Sequence, residues 1–245
     1  MWIPKWLGEA YSKLYSKFGA DVFTFNQAQE VLGLKKELLN VIFSKLHSLR
    51  ILFIHERKRP RLYRLIKPEN FILMAAGEIR NLQAIKQERY IQLICDVARE
   101  LIQLYPDISI CIYGSMARGS ARHESDLDML VVSDRFKGSK ALRVEELSSI
   151  EEKVSDELSR LRKYGIYTSL SFYPLRRDEA IKMPLIMLDI AVDGIIIRDD
   201  GFLEKVMSTV RERLAKLGAR RVFLSDGSWY WDLKPEYVFG EVIDI

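Results

Sequence analysis

The sequence predicts an α/β fold, of the α+β kind, with a mixed sheet, preceded by a small helical unit that ends in a hairpin. Three observations predict it. Residues 108–132, ISICIYGSMARGSARHESDLDMLVV, alternate as a strand over 109–113, break at Gly114-Ser115 and resume as an apolar, β-branched run over 127–132. Amphipathic stretches at helical spacing surround them. The first third is basic: residues 1–80 hold fourteen Lys and Arg against seven Asp and Glu, and the rest twenty-four against twenty-seven. A basic part beside a mildly acidic one suggests that one end meets a polyanion.

In chain order, residues 7–18 read as a helix with Leu7, Ala10, Tyr11, Leu14 and Phe18 on one side, closed by Gly19. A short β-like stretch, 21–25, precedes a helix over 27–32 that Asn26 caps and Gly33 ends. A longer helix, 35–49, buries Leu38, Ile42, Leu46 and Leu49 and turns Lys36, Asn40, Ser44 and His47 outward. Residues 51–54 and 62–66 make a strand pair around the basic tip His55-Glu56-Arg57-Lys58-Arg59-Pro60-Arg61, and Lys67-Pro68-Glu69-Asn70 is a hinge candidate. Ile91, Ile94, Val97, Ala98, Leu101 and Leu104 mark a helix that bridges two units, packs on the first strand of the next, or carries a homodimer interface; periodicity does not separate these.

After residue 132 come a polar loop, one charged helix over 142–164 with Val144, Leu147, Ile150, Val154, Leu158 and Leu161 inward, and a strand over 166–173. A helical segment over 177–191, interrupted at Met183-Pro184, a strand over 194–198 and a helix over 201–217 follow. In the tail, Trp229-Tyr230-Trp231 either pack on the domain or stack a base; packing is favoured, because exposed indoles are costly. Cys95 and Cys111 lie among apolar residues and read as buried free thiols. No apolar run approaches the roughly 20 residues of a membrane span, and residues 1–5 lack the pattern of a signal peptide. The expected setting is cytoplasmic, with no membrane.

The chemistry falls on Asp126 and Asp128. Two apart on a strand, they leave the same face. Paired carboxylates repel unless a cation lies between them, and hard oxygen donors of this kind suit Mg²⁺ beside substrate phosphates. The glycine at 114 lets backbone pass close to a ligand, and a short helical turn over 116–120 offers free N–H groups to a phosphate.

Gly114-Ser115-x-Ala117-Arg118-Gly119 followed by Ser125-Asp126-Leu127-Asp128-Met129 resembles the signature of the polymerase-β-like nucleotidyltransferase superfamily, in its minimal form. The resemblance covers about a tenth of the chain. It implies that Gly114 and Ser115, with Arg118 and Ser125 beside them, bind the nucleotide, and that Asp126 and Asp128 hold Mg²⁺, or Mn²⁺ in its place. The family's third carboxylate comes from a later strand, and here residues 167–173 carry serines instead; Asp189 and Asp193 are the substitutes within reach in sequence. A hydroxyl is a weaker ligand and no general base near neutral pH.

Three helices and then a hairpin resemble a winged helix-turn-helix domain. By that resemblance helix 35–49, with Lys36, enters the major groove, and Arg57, Lys58, Arg59 and Arg61 on the wing meet phosphates. A small module that packs on protein is the other reading. The expected organisation is a winged helix over 1–70, a helical connector over 71–106 and a nucleotidyltransferase domain over 107–245. The expected function is Mg²⁺-dependent transfer of a nucleoside monophosphate from an NTP to an acceptor hydroxyl, with DNA or another nucleic acid as partner. The rival is a DNA-binding regulator whose nucleotidyltransferase-like domain senses its ligand or is inactive.

Overall fold

The computed structural model describes residues 3–225 and 228–236. The chain opens with α1 (Lys5–Phe18), β1 (Phe23–Thr24), α2 (Phe25–Leu32), α3 (Lys36–Ser48), β2 (Leu52–Glu56) and β3 (Leu62–Leu65). The strands form a small antiparallel sheet in the order β1-β3-β2. Then come α4 (Pro68–Ala76), two 3₁₀ turns at 82–84 and 88–90, and α5 (Ile91–Leu104). The second half runs β4 (Ser109–Ile112), α6 (Gly114–Arg118), β5 (Leu127–Val132), α7 (Lys140–Lys153), α8 (Ser155–Lys163), β6 (Leu170–Leu175), α9 (Arg177–Ile181), α10 (Ile186–Asp193), β7 (Ile195–Arg198) and α11 (Phe202–Leu217). A hairpin, β8 (Arg220–Phe223) with β9 (Trp229–Asp232), closes the described chain.

The larger sheet has the order β6-β5-β4-β7 and is mixed, as expected: β5 runs parallel to β6, while β4 runs antiparallel to both β5 and β7. Its central strands are buried on both faces, and their period-2 alternation splits the core in two. Ile110, Ile112, Met129 and Val131 join one cluster with α5, α7 and α8; Cys111, Leu130 and Val132 join the other with α10 and α11. Pro174, which cannot donate to a ladder, lies on the edge strand β6. The first cluster continues through Leu93, Val97 and Leu101 of α5 into Leu7, Phe23, Leu39 and Phe53, so one core joins the N-terminal elements to the large sheet. The apolar stripe of α5 is therefore covered within the chain from Ile91 to Leu101, with nine of the helix's residues buried, while Leu104 at its end is exposed.

Several local expectations are corrected. The α3 stripe is Leu39, Ile42, Phe43 and Leu46, while Leu38 is 47% exposed; the helix is rotated by about one residue because Leu39 and Phe43 fit the aromatic core around Phe23, Phe25 and Tyr63. Thr24, not Asn26, caps α2, through a capping box in which its hydroxyl accepts from Gln27 N and Gln27 Oε1 accepts from Thr24 N. Lys67 to Asn70 is not a hinge. Pro68 begins α4, and Lys67 Nζ and Asn70 Nδ2 both donate to Asp96 at 2.7 Å, with Gln92 Nε2 adding a third bond at 2.9 Å. The charged segment after residue 139 is two helices, α7 and α8, meeting at Val154; Val144 is exposed and Arg143 buried in its place, paired with Glu179. The tail forms a hairpin that the sequence reading did not anticipate.

Candidate active site

β4 and β5 pair antiparallel so that the turn after Ile112 comes back over Asp128: the Tyr113 amide donates to the Asp128 carbonyl at 3.1 Å. Gly114 has φ +70°, and a Cβ built there would stand 2.3 Å from Asp128 Oδ2. The position excludes any side chain twice over, by conformation and by space. The backbone at the start of α6 thus lies directly against the Asp128 carboxylate.

Asp126, exposed at the lip of β5, and half-buried Asp128 are brought together with that turn. Burial raises the Asp128 pKa above the usual carboxylate range; a bond from Ser171 opposes this, the neighbouring Asp126 charge adds to it, and Arg118 opposes it. Parallel pairing places Ser171 beside Asp128, and Ser169, the residue just before β6, donates to Asp126 Oδ1. These two serines therefore stand against the two carboxylates, at the place where the resemblance calls for a third acid.

Asp189 and Asp193 do not fill that place. Arg221 binds both, at 2.8 and 2.7 Å, and Asp189 also accepts from Trp231 Nε1 at 3.0 Å. Of the β9 aromatics, Trp229 and Trp231 are half-buried with Arg221 over both rings, as favoured from sequence, whereas Tyr230 does not pack and is exposed. Arg118 is drawn into this cluster, 3.6 Å from Asp193 and 4.5 Å from the Trp229 ring centroid. Among the described residues no group of three His, Cys, Asp or Glu side chains converges as a metal site. Two adjacent carboxylates backed by hydroxyls still match the donor chemistry of a hard divalent cation that completes its shell with water and phosphate oxygens.

Ser115 is half-buried at the first turn of α6, and its carbonyl accepts from Ser120 N at 2.9 Å. The Ser125 hydroxyl is engaged locally, accepting from Arg122 N at 2.8 Å, and the Ser125 carbonyl accepts from Thr168. Ser125 thereby shapes the loop that presents Asp126.

The predicted nucleic-acid residues belong to other elements than this turn. Lys36 is exposed on the first residue of α3, and Arg57, Lys58, Arg59 and Arg61 are exposed on the β2–β3 tip. Lys58 pairs with Glu56 at 3.0 Å, and Arg57 reaches Glu88 at 3.6 Å. His47 is not free on the outer face of α3; its Nε2 bonds Glu88 at 2.8 Å. Leu38 and Val41 are exposed on the same helix, giving that face an apolar component. Sequence reasoning missed Ser169 and Ser171 as partners of the aspartates, although the Ser-x-Ser spacing on a strand parallel to β5 carried the signal, and it missed Glu88 as the buried acceptor for His47 and Ile54 N.

No helix of the described residues is long and apolar enough to cross a membrane. None of the curated proteins matches the chain with significance. Among solved structures, a mutant of the toxin-antitoxin MntA-HpeT is similar at 17% identity, over 52% of this chain and 91% of that one, with a TM-score of 0.33. A toxin-antitoxin with AMP-PNP is similar at 16% identity, over 50% and 90%, with a TM-score of 0.31. The family model described as "Nucleotidyltransferase domain" matches residues 94–186. That stretch holds the Gly114-Ser115 turn, both aspartates and the two serines, and it is the part of this chain that is similar to a nucleotidyltransferase domain.

Proposed function

We propose that the chain transfers a nucleoside monophosphate from an NTP to an acceptor hydroxyl. The observation that carries this reading is the Asp128 carboxylate lying against the Gly114 backbone with the Asp126 charge beside it. In the reaction the acceptor oxygen bonds to the α-phosphorus, the α–β bridging P–O bond breaks, pyrophosphate leaves and the acceptor proton is released. Asp126 and Asp128 would hold Mg²⁺, which when bound neutralises phosphate charge and lowers the pKa of the attacking oxygen. Gly114 lets the turn lie against the Asp128 carboxylate, which brings the backbone that meets the triphosphate next to the metal ligands, and Ser115 donates to the triphosphate. Ser169, just before β6, and Ser171 on it orient the carboxylates. Arg118 supplies positive charge next to Asp128, held in place by Asp193 and Trp229.

The N-terminal elements to about residue 70 form, in this reading, a winged-helix unit. Residues 71–106 connect it to the nucleotidyltransferase domain over 107–245. The basic tip of the β2–β3 hairpin and Lys36 supply the charge for DNA or another nucleic acid. A second reading, a DNA-binding regulator with a nucleotide-sensing domain, is favoured by the serines at the expected third acid.

Labelled NTPs with Mg²⁺ separate the two. Incorporation by the native chain that is lost on Asp126→Ala with Asp128→Ala supports transfer. Absence of turnover with nucleic-acid, protein and small-molecule acceptors alike, together with sequence-specific DNA binding that falls steeply with salt, supports the regulator.

A further inference from the structure

We propose that a second ligand site, for a phosphoryl group, lies between the basic hairpin tip and the loop that leads into Asp126. A cavity of about 380 Å³ opens there, walled by Arg57 and Lys58 from the hairpin, Lys86 and Arg89 from the segment before α5, and His123 from the loop, with His55 beneath. The two carboxylates that also line it are already matched. Glu88 accepts from His47 and the Ile54 amide and pairs with Arg50 and, at 3.6 Å, with Arg57, and Glu56 pairs with Lys58. Lys86 donates to the Arg118 carbonyl, and Arg89 lies over the Tyr90 ring; neither pairs with a carboxylate among the described residues. The cavity therefore keeps unneutralised positive charge.

His55 supplies the second, independent observation. Ile54 pairs with Tyr63 and Glu56 with Leu62, so His55 is the extra residue of a β-bulge, a device that re-aims a side chain out of the ladder. Its side chain is turned inward and only 6% exposed, edge-on to the Tyr164 ring, and neither ring nitrogen has a hydrogen-bond partner. Buried polar atoms are normally bonded, and an unbonded one calls for an explanation. Neither nitrogen is open to solvent as the ring stands, so a phosphate oxygen accepts from it once the ring turns toward the cavity it lines, while Lys86, Arg89 and Arg57 supply charge-assisted bonds without any such change.

The cavity wall and the carboxylate loop are built together. The Lys86 stem fills the space above Gly119, where an added Cβ would stand 2.6 Å from Lys86 Cδ. Gln87 both donates to the Ala121 carbonyl and accepts from the Ala121 amide, at 2.8 and 3.0 Å. His123 precedes Asp126 by three residues. Resting on the transfer reading for what the phosphate belongs to, we assign the site to the acceptor: a molecule anchored here by its phosphoryl group extends toward Asp126 and Asp128.

The test uses the full chain with Asp126→Ala and Asp128→Ala, so that the carboxylate pair plays no part. Inorganic phosphate, glycerol phosphate and an oligonucleotide with or without a 5′-phosphate are titrated while the histidine ring signals are followed by NMR. Saturable binding that shifts His55 and His123 and leaves His47 in place is expected. Arg57→Ala with Arg89→Gln should weaken it about tenfold or more, the loss of one or two charge-assisted contacts. His55→Phe, which keeps ring volume, should weaken it by a smaller factor. Preference for the phosphorylated oligonucleotide over glycerol phosphate identifies a strand end as the source, and equal binding identifies a small phosphate ester; either supports the site. Absence of saturable binding, or binding that these substitutions leave unchanged, overturns it. Phosphate binding without any NTP incorporation would leave this site standing and remove the transfer reading instead.

Discussion

Arg64 with Glu157, and Asp126 with Asp128, are two pairs of charged side chains held close by the fold, and they differ in sign. Arg64 of β3 and Glu157 of α8 are essentially without solvent contact and meet through two bonds of 2.6 and 2.7 Å, while Arg64 Nε donates to the Ala20 carbonyl. Each charge is matched where it is buried. The aspartates repel each other, and the strand register and the Gly114 turn hold them in place all the same. A matched pair stabilises the fold by itself, whereas a repelling pair costs stability until a cation comes between the charges. The two pairs should therefore respond in opposite directions when one partner is neutralised.

The largest effect is expected at the matched pair. Glu157→Gln leaves a buried guanidinium without its counter-charge and should cost about 3–5 kcal/mol in denaturant unfolding. Arg64→Met with Glu157→Leu removes both charges and should cost clearly less, because no uncompensated ion remains. If the single and double variants lose the same stability, the pair is not a matched ion pair in a dry setting. Because it joins the N-terminal hairpin to α8, Glu157→Gln should also raise amide exchange in β3 before it does so in β5.

Next in size is an acid sensitivity from His55. Burial, followed by Arg64, lowers its pKa from 6.5 to about 4; Glu56 opposes this and Arg89 adds to it. The unfolded chain then binds a proton between about pH 6.5 and pH 4 that the folded chain does not. The associated stability is complete above pH 6.5 and is lost as pH falls through that window, by up to about 3 kcal/mol. His55→Phe should flatten this part of the stability–pH curve, and an unchanged slope would show that His55 is not held neutral. Glu179, pulled down to about 2 chiefly by its bond with Arg143, adds its own loss only below the ordinary carboxylate range, so the two windows are separable.

Much of this was legible in the sequence, and the exceptions have physical reasons. Strand, turn and strand around Gly114 could be read because glycine at a left-handed turn, aspartates two apart and an apolar β-branched run each leave a local mark. Leu38 against Leu39 could not be decided, since helical spacing fits either stripe and the choice was made by the distant rings of Phe23 and Tyr63. Lys67 to Asn70 looked like a hinge because Pro68 serves equally as a helix start, and Asp96, 26 residues beyond Asn70, decided the matter. The break at Val154 has no proline or glycine to mark it in the sequence. Of the site, the acids and the turn were visible locally, whereas Ser169 and Ser171 become their neighbours only through the parallel register of β6.

The smallest effect sharpens the contrast most. Asp128 has a raised pKa, so between the ordinary carboxylate value and that raised value the folded chain binds a proton that the unfolded chain releases. Stability from this source is present at low pH and is lost as pH rises through the window. Asp128→Asn keeps the shape and the Ser171 contact but removes the repulsion by Asp126. Without divalent cation it should be more stable than the native chain at neutral pH, by about 1 kcal/mol, the scale of two like charges in contact near water. The gain should vanish under acid. Added Mg²⁺ should stabilise the native chain and leave Asp128→Asn unaffected, since a cation rewards only the form that carries both charges. If neutralising Asp128 instead destabilises the chain, as expected for Glu157, then the aspartates belong with the matched pair, and the case for a cation between them falls.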